Sequence, residues 1–337
     1  MSLRKLFRYS NIMYHWRIRK SILPPMPEEV SIESTNVCNF KCAFCPQSDP
    51  SHHDITPKTY LTPSRAEEIM KQLRKGGIST KTLHWTLDGE PFMNKEFHEL
   101  CEVAIRHEFS HMYFATNGML LTEKTLQKLP RKEDTFYTFT IDYCADREYF
   151  ENIRGTKGSW EKIYNNIYAS LDNEDQKNML FVLSDISAFE ERDADMVADK
   201  FRQLKKIFGD NKRIRYHKKT FHNAAGIIPI SQKHSDNKRY YLCPYPWTTL
   251  CVASNGDIVA CCRDLRHQTT LGNVFEQSLQ DIWHGKGYQL LRKNLIEKTP
   301  WQSAACKGCD LPYDSSKFGI GNIVRTARGR LQIFGSD

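Results

Sequence analysis

No stretch of the 337 residues stays apolar for the eighteen or so positions that a membrane-spanning helix needs. The N-terminus lacks the hydrophobic core of a signal peptide. Both absences point to a cytoplasmic protein without a membrane span. No internal repeat is present. The net charge of +8 is not gathered into the basic stripe of a nucleic-acid binder, so nucleic acid is not an expected partner. A modest basic excess suits anionic cofactors and small substrates. With 40% hydrophobic and 26% charged residues, the chain is globular rather than disordered. Its length allows one large domain, or a barrel with a smaller module.

Cysteine is the residue that is not scarce. Eleven thiols in a chain read as cytosolic do not fit a disulfide framework, which suits small secreted domains. Seven of them fall into two tight groupings, the pattern of metal ligation.

Residues 1–27 read as a basic N-terminal arm with apolar positions at helical spacing, closed by "ILPPMP". Packing on the main domain and binding to a surface are both open for it. Strands and helices then alternate. Strands are expected at 28–35, 82–90, 111–118, 135–142, 178–185 and 213–219. Helices are expected at 64–77, with a Ser cap and a Gly stop, and at 95–109, 122–129, 160–173 and 193–209. Six such units in series predict an α/β fold, an open, partial (β/α)6 barrel over 28–220. Residues 221–242 read as a polar linker. From 243 to 337 the cysteines and the turn signal "SNGD" (254–257) predict a small α+β module with a β-hairpin, followed by a C-terminal tail.

"CNFKCAFC" follows the first strand and places Cys38, Cys42 and Cys45 within eight residues. Loops after the strands of a parallel barrel form its active face. Three thiolates leave the usual four-ligand set of zinc or an iron–sulfur cluster incomplete. On a [4Fe–4S] cluster, one iron would stay open to a non-protein ligand. A zinc knuckle borrowing a distant ligand is the other option.

CxxxCxxC after a first strand, with Phe44 before its last Cys, resembles the signature of the radical S-adenosylmethionine (radical SAM) superfamily. The resemblance implies that SAM chelates the open iron. One electron then cleaves it to methionine and a 5′-deoxyadenosyl radical, which takes a hydrogen atom from substrate. It also implies an electron donor such as flavodoxin or ferredoxin. "DGEP" (88–91) stands where the family has its GGE-like motif, with Asp88 in place of the first Gly. Gly89, Glu90 and Pro91 are thereby implicated in SAM binding. Asn117 in "TNG", Thr140 and Asp142 in "TID", and Arg154 in "IRGT" match further SAM contacts more loosely; caps and loop ion pairs are their alternative. The Gly-rich motif near the fifth strand is absent, so adenine contacts from that side stay unassigned.

Cys243, Cys261, Cys306 and Cys309 form the second set, spaced C-x17-C-x44-C-x2-C. Four thiolates can close a [4Fe–4S] site, and a zinc ribbon is the alternative. "CPYPW", "NGDIVACC", "LGNVF", "DIW" and "CKGC" resemble the SPASM/twitch extension of radical SAM enzymes, which implies one auxiliary [4Fe–4S] cluster. The one-cluster layout is similar to that of aminocyclitol dehydrogenases and radical SAM epimerases. Epimerases of that kind return a hydrogen atom from a free thiol, and Cys262, the spare of its pair, is the first candidate. A buried free Cys that only packs is the alternative. Cys144 is a weaker candidate, Cys251 could be packing, and Cys101 reads as core.

The leading expectation is therefore a radical SAM oxidoreductase or epimerase acting on a sugar or aminocyclitol. Modification of a peptide or protein side chain is the second reading. A non-catalytic zinc-binding interaction protein is a third, of another class.

Overall fold

The computed structural model describes residues 24–189, 193–229 and 239–313, together with Phe7, Ser10, Asn11 and Tyr14. The expected arm (1–27), part of the expected linker and the tail beyond 313 lie largely outside the described residues.

Six parallel strands form the barrel portion: β1 (Glu29–Ile32), β2 (Thr82–Trp85), β3 (His111–Thr116), β4 (Phe136–Tyr143), β5 (Met179–Asp185) and β6 (Ile214–Lys218). Their order is sequential and each pairs in parallel with the next. The crossovers carry helices: α1 (Pro63–Lys75), α2 (Phe97–Arg106), α3 (Glu123–Gln127), α4 (Arg147–Arg154), α5 (Ser159–Asp172) and α6 (Ala194–Phe208). The expected α/β partial barrel is therefore present.

The expected Ser cap of α1 is corrected. Thr62 is the N-cap, its hydroxyl accepting from the Arg65 amide, while Pro63 occupies the first turn and Ser64 lies inside the helix. Proline tolerates that position because its missing N–H would be unpaired there anyway. Ala66, Ile69, Met70 and Leu73 then recur at helical spacing and are all buried.

The second module is not a separate sheet. Its strand β7 (Thr249–Val252) pairs in parallel with β1, and β8 (Asp257–Val259) and β9 (Thr270–Asn273) follow antiparallel. Among the described residues this gives one nine-stranded sheet, ordered β6-β5-β4-β3-β2-β1-β7-β8-β9. The "SNGD" turn joins β7 to β8 as the hairpin that its residues predict. Two helices, α7 (Leu279–His284) and α8 (Lys286–Ile296), complete the module.

Alternation along the strands separates two faces. Leu83, Trp85, Met112, Phe114 and Phe139 are fully buried against the helices, with Trp85 edge-on to Phe97 of α2 at 5.6 Å. The opposite, concave face carries polar side chains: His84, Tyr113, Thr140, Asp142, Arg215 and His217. These are half-buried or exposed, as is Ala115 among them. The apolar core thus lies outside the sheet, and the inside of the barrel is mostly polar and partly reached by solvent, with Leu180 and buried Val182 among its apolar members.

Candidate active site

The loop after β1 folds over the end of the sheet. The Cys45 amide donates to the Cys42 carbonyl at 2.9 Å, and the Ala43 amide to the Ile153 carbonyl of α4 at 2.8 Å. Cys38 and Cys45 are half-buried and Cys42 is buried. Burial, and then Glu90, push the Cys38 thiol up to about 12; burial also raises Cys42 and Cys45, and Asp88 adds to the rise at Cys45. The three sulfurs repel one another as thiolates. Such a set becomes stable as thiolates when a cationic centre is bound among them. Among the described residues no three Cys, His, Asp or Glu side chains converge as ligands of a single ion do. A four-iron cluster takes its thiolates on separate irons, so its ligands stand farther apart.

The "DGEP" segment continues from β2. Gly89 has φ of 71°, and a Cβ there would lie 2.3 Å from the Thr35 carbonyl oxygen. Only glycine lets this backbone pass so close to the cluster loop. Glu90 is buried and its two carboxylate oxygens accept from the Thr116 hydroxyl at 2.7 Å and the Asn117 amide at 2.6 Å. Its own amide donates to the Val37 carbonyl, and Pro91 follows in a buried turn. The Asn117 side chain donates to Asn39 at 2.7 Å and lies 3.9 Å from the Cys38 sulfur. Glu90 therefore ties the end of β3, through its carboxylate, and the cysteine loop, through its amide, to the end of β2.

At the end of β4, Asp142 sits between two cations. Arg154 approaches at 3.3 Å and Lys219 at 2.6 Å. Arg154 is buried, and its guanidinium lies 5.1 Å from the Phe40 ring and 5.8 Å from the Phe44 ring. Its Nε has no hydrogen-bond partner. A buried, orphaned guanidinium N–H beside a cluster loop fits an anionic group of a bound cofactor. Thr140 donates its hydroxyl to Tyr113 deeper in the barrel. Phe44 packs on Phe189 (5.4 Å) and Phe221 (5.2 Å), with the Lys219 ammonium 5.1 Å from its ring.

Cys243, Cys306 and Cys309 of the second set sit in their own apolar cluster with Leu242, Trp247, Leu291 and Leu295, and Cys261 follows Ala260 of that cluster. Cys243 and Cys309 are buried, Cys261 and Cys306 half-buried, and all four are free thiols. Burial raises each, and a neighbouring thiol of the set further opposes ionisation at Cys243, Cys261 and Cys306. Cys262 adjoins this set in the chain. It meets the Tyr245 hydroxyl and lies in electrostatic reach of Glu29 at the start of β1 and of Cys251 on β7. Cys251 is buried, as is Cys101 within the barrel core. Cys144 is also buried and donates to the Asp146 carbonyl at 3.3 Å. Strand β1 thus runs from Glu29, near Cys262, toward Glu33, near Asp88, a rise of roughly 13 Å at about 3.3 Å per residue.

Sequence reasoning missed the network under Asp88. His52 lies 2.6 Å from one Asp88 oxygen and Gln47 donates to both. Glu33 accepts from the Asp88 amide and from Ser254 of the hairpin turn, whose hydroxyl is 2.7 Å away. The only signal was Asp88 itself, standing where the family motif has glycine. Burial, then Asp88, raise the Glu33 carboxyl from 4.5 to about 7. The folded state therefore binds more protons than the unfolded chain between those values, and stability falls as pH rises across that window. Glu33→Gln is expected to flatten that decline in denaturant midpoints taken between about pH 5 and pH 8. An undiminished decline in the variant would contradict the assignment.

Family models match on both sides of this geometry: the Radical SAM superfamily over residues 32–183, and the SPASM iron-sulfur cluster-binding domain over residues 243–310. The chain is a radical SAM protein of the SPASM type. Radical SAM and SPASM membership brings SAM, a [4Fe–4S] cluster and an auxiliary cluster, and each matched region holds one of the two cysteine sets. Among relatives, the S-adenosyl-L-methionine-dependent 2-deoxy-scyllo-inosamine dehydrogenase of Niallia circulans is 23% identical over 284 residues, 83% of this chain and 92% of that one. The sporulation killing factor maturation protein SkfB of Bacillus subtilis (strain 168) is 24% identical over 144 residues, 42% of this chain and 32% of that one. Among solved structures, BtrN in complex with AdoMet and 2-DOIA shares the fold with a TM-score of 0.57 at 21% identity, covering 85% of this chain and 93% of that one. Streptococcus suis SuiB bound to precursor peptide SuiA does so with a TM-score of 0.53 at 17% identity, covering 94% and 76%. Among the described residues, no helix is long and apolar enough to cross a membrane.

Proposed function

We propose that this radical SAM enzyme acts on a C–H bond of a small polyhydroxylated substrate, sugar- or aminocyclitol-like, held on the concave face between its two cysteine sets. Cys38, Cys42 and Cys45 hold the [4Fe–4S] cluster that binds SAM. Cys243, Cys261, Cys306 and Cys309 hold the auxiliary cluster. When bound, the first cluster and SAM supply a 5′-deoxyadenosyl radical and the auxiliary cluster supplies an electron acceptor. Gly89, Glu90, Pro91 and Asn117 shape the methionine end of the SAM site. The orphaned Nε of Arg154 would take the SAM carboxylate, and Phe44, Thr140 and Asp142 would border the rest.

The observation that carries the substrate class is the mostly polar, partly solvent-reached concave face. His84, Tyr113, Thr140, Arg215 and His217 bring donors and acceptors from β2, β3, β4 and β6 to one face, suited to hydroxyl and amino groups rather than to an apolar ligand. The Niallia circulans dehydrogenase, similar over most of both chains, supports the same class. A peptide substrate is the second reading, favoured by the similarity to SkfB.

Cys262 decides between two outcomes. Its thiol adjoins the auxiliary set in the chain and lies in electrostatic reach of Glu29 and Cys251, which the strand register places on the same face as His84. A thiol there can return a hydrogen atom to the opposite face of a substrate radical, giving inversion. Turnover in D₂O with reductant is expected to give product carrying one deuterium, and Cys262→Ala to abolish that label while 5′-deoxyadenosine still forms. Product lighter by two hydrogens, and unchanged in Cys262→Ala, would rule out the thiol's role and assign dehydrogenation.

A further inference from the structure

The two loops that carry the second cysteine set are joined by one buried ion pair. Arg263 follows Cys261 and Cys262, and Asp310 follows Cys309. The Arg263 Nη1 donates to an Asp310 oxygen at 2.6 Å, and the two side chains are only 4% and 8% exposed. Asp310 is itself fixed from the barrel side. Its amide donates to the Asn223 side chain at 3.3 Å, and Asn223 donates to the Gly308 carbonyl at 2.6 Å. Asp264, next to Arg263, spends its carboxylate on the Gln268 and Thr269 amides at 2.7 and 3.0 Å.

The pair is not a closed, neutral unit. Arg263 stands two residues after Cys261 and Asp310 directly follows Cys309, so the buried guanidinium is fixed between the two loops that carry these thiols. Burying a guanidinium is costly unless its surroundings return the energy. A thiolate-bound cluster would return part of that energy, because its negative charge would lie beside the guanidinium in a dry site.

We infer that Arg263, held by Asp310, is a positioning residue that raises the reduction potential of the auxiliary cluster. The inference rests on the reading that the second set holds that cluster. The physical reason is charge: adding an electron to a thiolate-bound cluster is easier beside a fixed cation in a dry site. Asp310 moderates the effect, since its carboxylate offsets part of the guanidinium charge. The two residues therefore act in opposite directions, which a merely structural pair would not do.

The test is potentiometric titration of both clusters by electron paramagnetic resonance in reconstituted full-length protein, with iron and sulfide counted for each variant. Arg263→Met is expected to lower the auxiliary potential, Arg263→Lys to lower it less, and Asp310→Asn to raise it. The SAM-binding cluster should keep its potential in all three. An auxiliary potential unchanged in Arg263→Lys and Asp310→Asn, with both clusters loaded, would overturn the inference while leaving the cluster assignment intact. Equal downward shifts in all three variants would also overturn it, marking the pair as structural. A wild-type protein with only one cluster would remove the reading on which the inference stands.

Discussion

Cys42→Ala is expected to abolish SAM cleavage altogether, with no 5′-deoxyadenosine formed under reducing conditions. The iron content should fall from about eight atoms per chain to about four, since one of two four-iron clusters is lost. The fold should survive. Cys42 is buried among apolar neighbours and is small, so the cavity left by one sulfur is modest. The auxiliary cluster should persist because three of its thiols, Cys243, Cys306 and Cys309, sit in a separate apolar cluster around Trp247 and Leu295. Cys309→Ala should give the mirror result: about four irons lost, with SAM cleavage retained and product formation lost. Iron analysis, absorbance and product chromatography check both variants. Undiminished iron in Cys42→Ala would show that this thiol is not a ligand.

Arg154→Met is expected to weaken SAM binding on the order of 100-fold, as loss of a buried charge-assisted contact does. The side chain is buried, its Nε lacks a partner, and the Phe40 and Phe44 rings hold its plane. Asp142 keeps Lys219 at 2.6 Å, so removal of Arg154 does not strand a buried carboxylate, and the loss of stability should be small beside the loss of affinity. Arg154→Lys should recover part of the binding through charge but not the fork geometry. Equilibrium dialysis of SAM against the cluster-loaded variants measures this. Wild-type affinity in Arg154→Met would remove the residue from the SAM site.

The barrel was legible because its strands alternate so plainly. "TLHWTLDGE" and "HMYFATNG" place an apolar residue on every second position, and each ends in a motif whose side chains reach the cysteine loop. Cys38, Cys42 and Cys45 stand out as candidates from spacing alone, since three thiols in eight residues have few uses in such a chain. Two kinds of feature were not legible. The parallel pairing of β1 with β7 joins residues more than two hundred positions apart, and no local pattern encodes a partner strand. The His52–Asp88–Glu33–Ser254 network was hidden for the same reason: its members come from the cluster loop, β2, β1 and the hairpin turn, and each alone reads as an ordinary polar loop residue. The α1 cap was misplaced by two residues because Thr62 and Ser64 are equivalent by type, and only Pro63 between them marks which one precedes the helix.

The central claim is that a small polar substrate lies on the concave face between the two cysteine sets. The direct measurement is product analysis after incubating cluster-loaded protein with SAM, a reductant and a panel of aminocyclitols, sugars and peptides. The account predicts stoichiometric 5′-deoxyadenosine together with a modified aminocyclitol or sugar, and weaker turnover when Arg215 or His217 is replaced by alanine. Turnover of peptides alone, unaffected by those replacements, would contradict it.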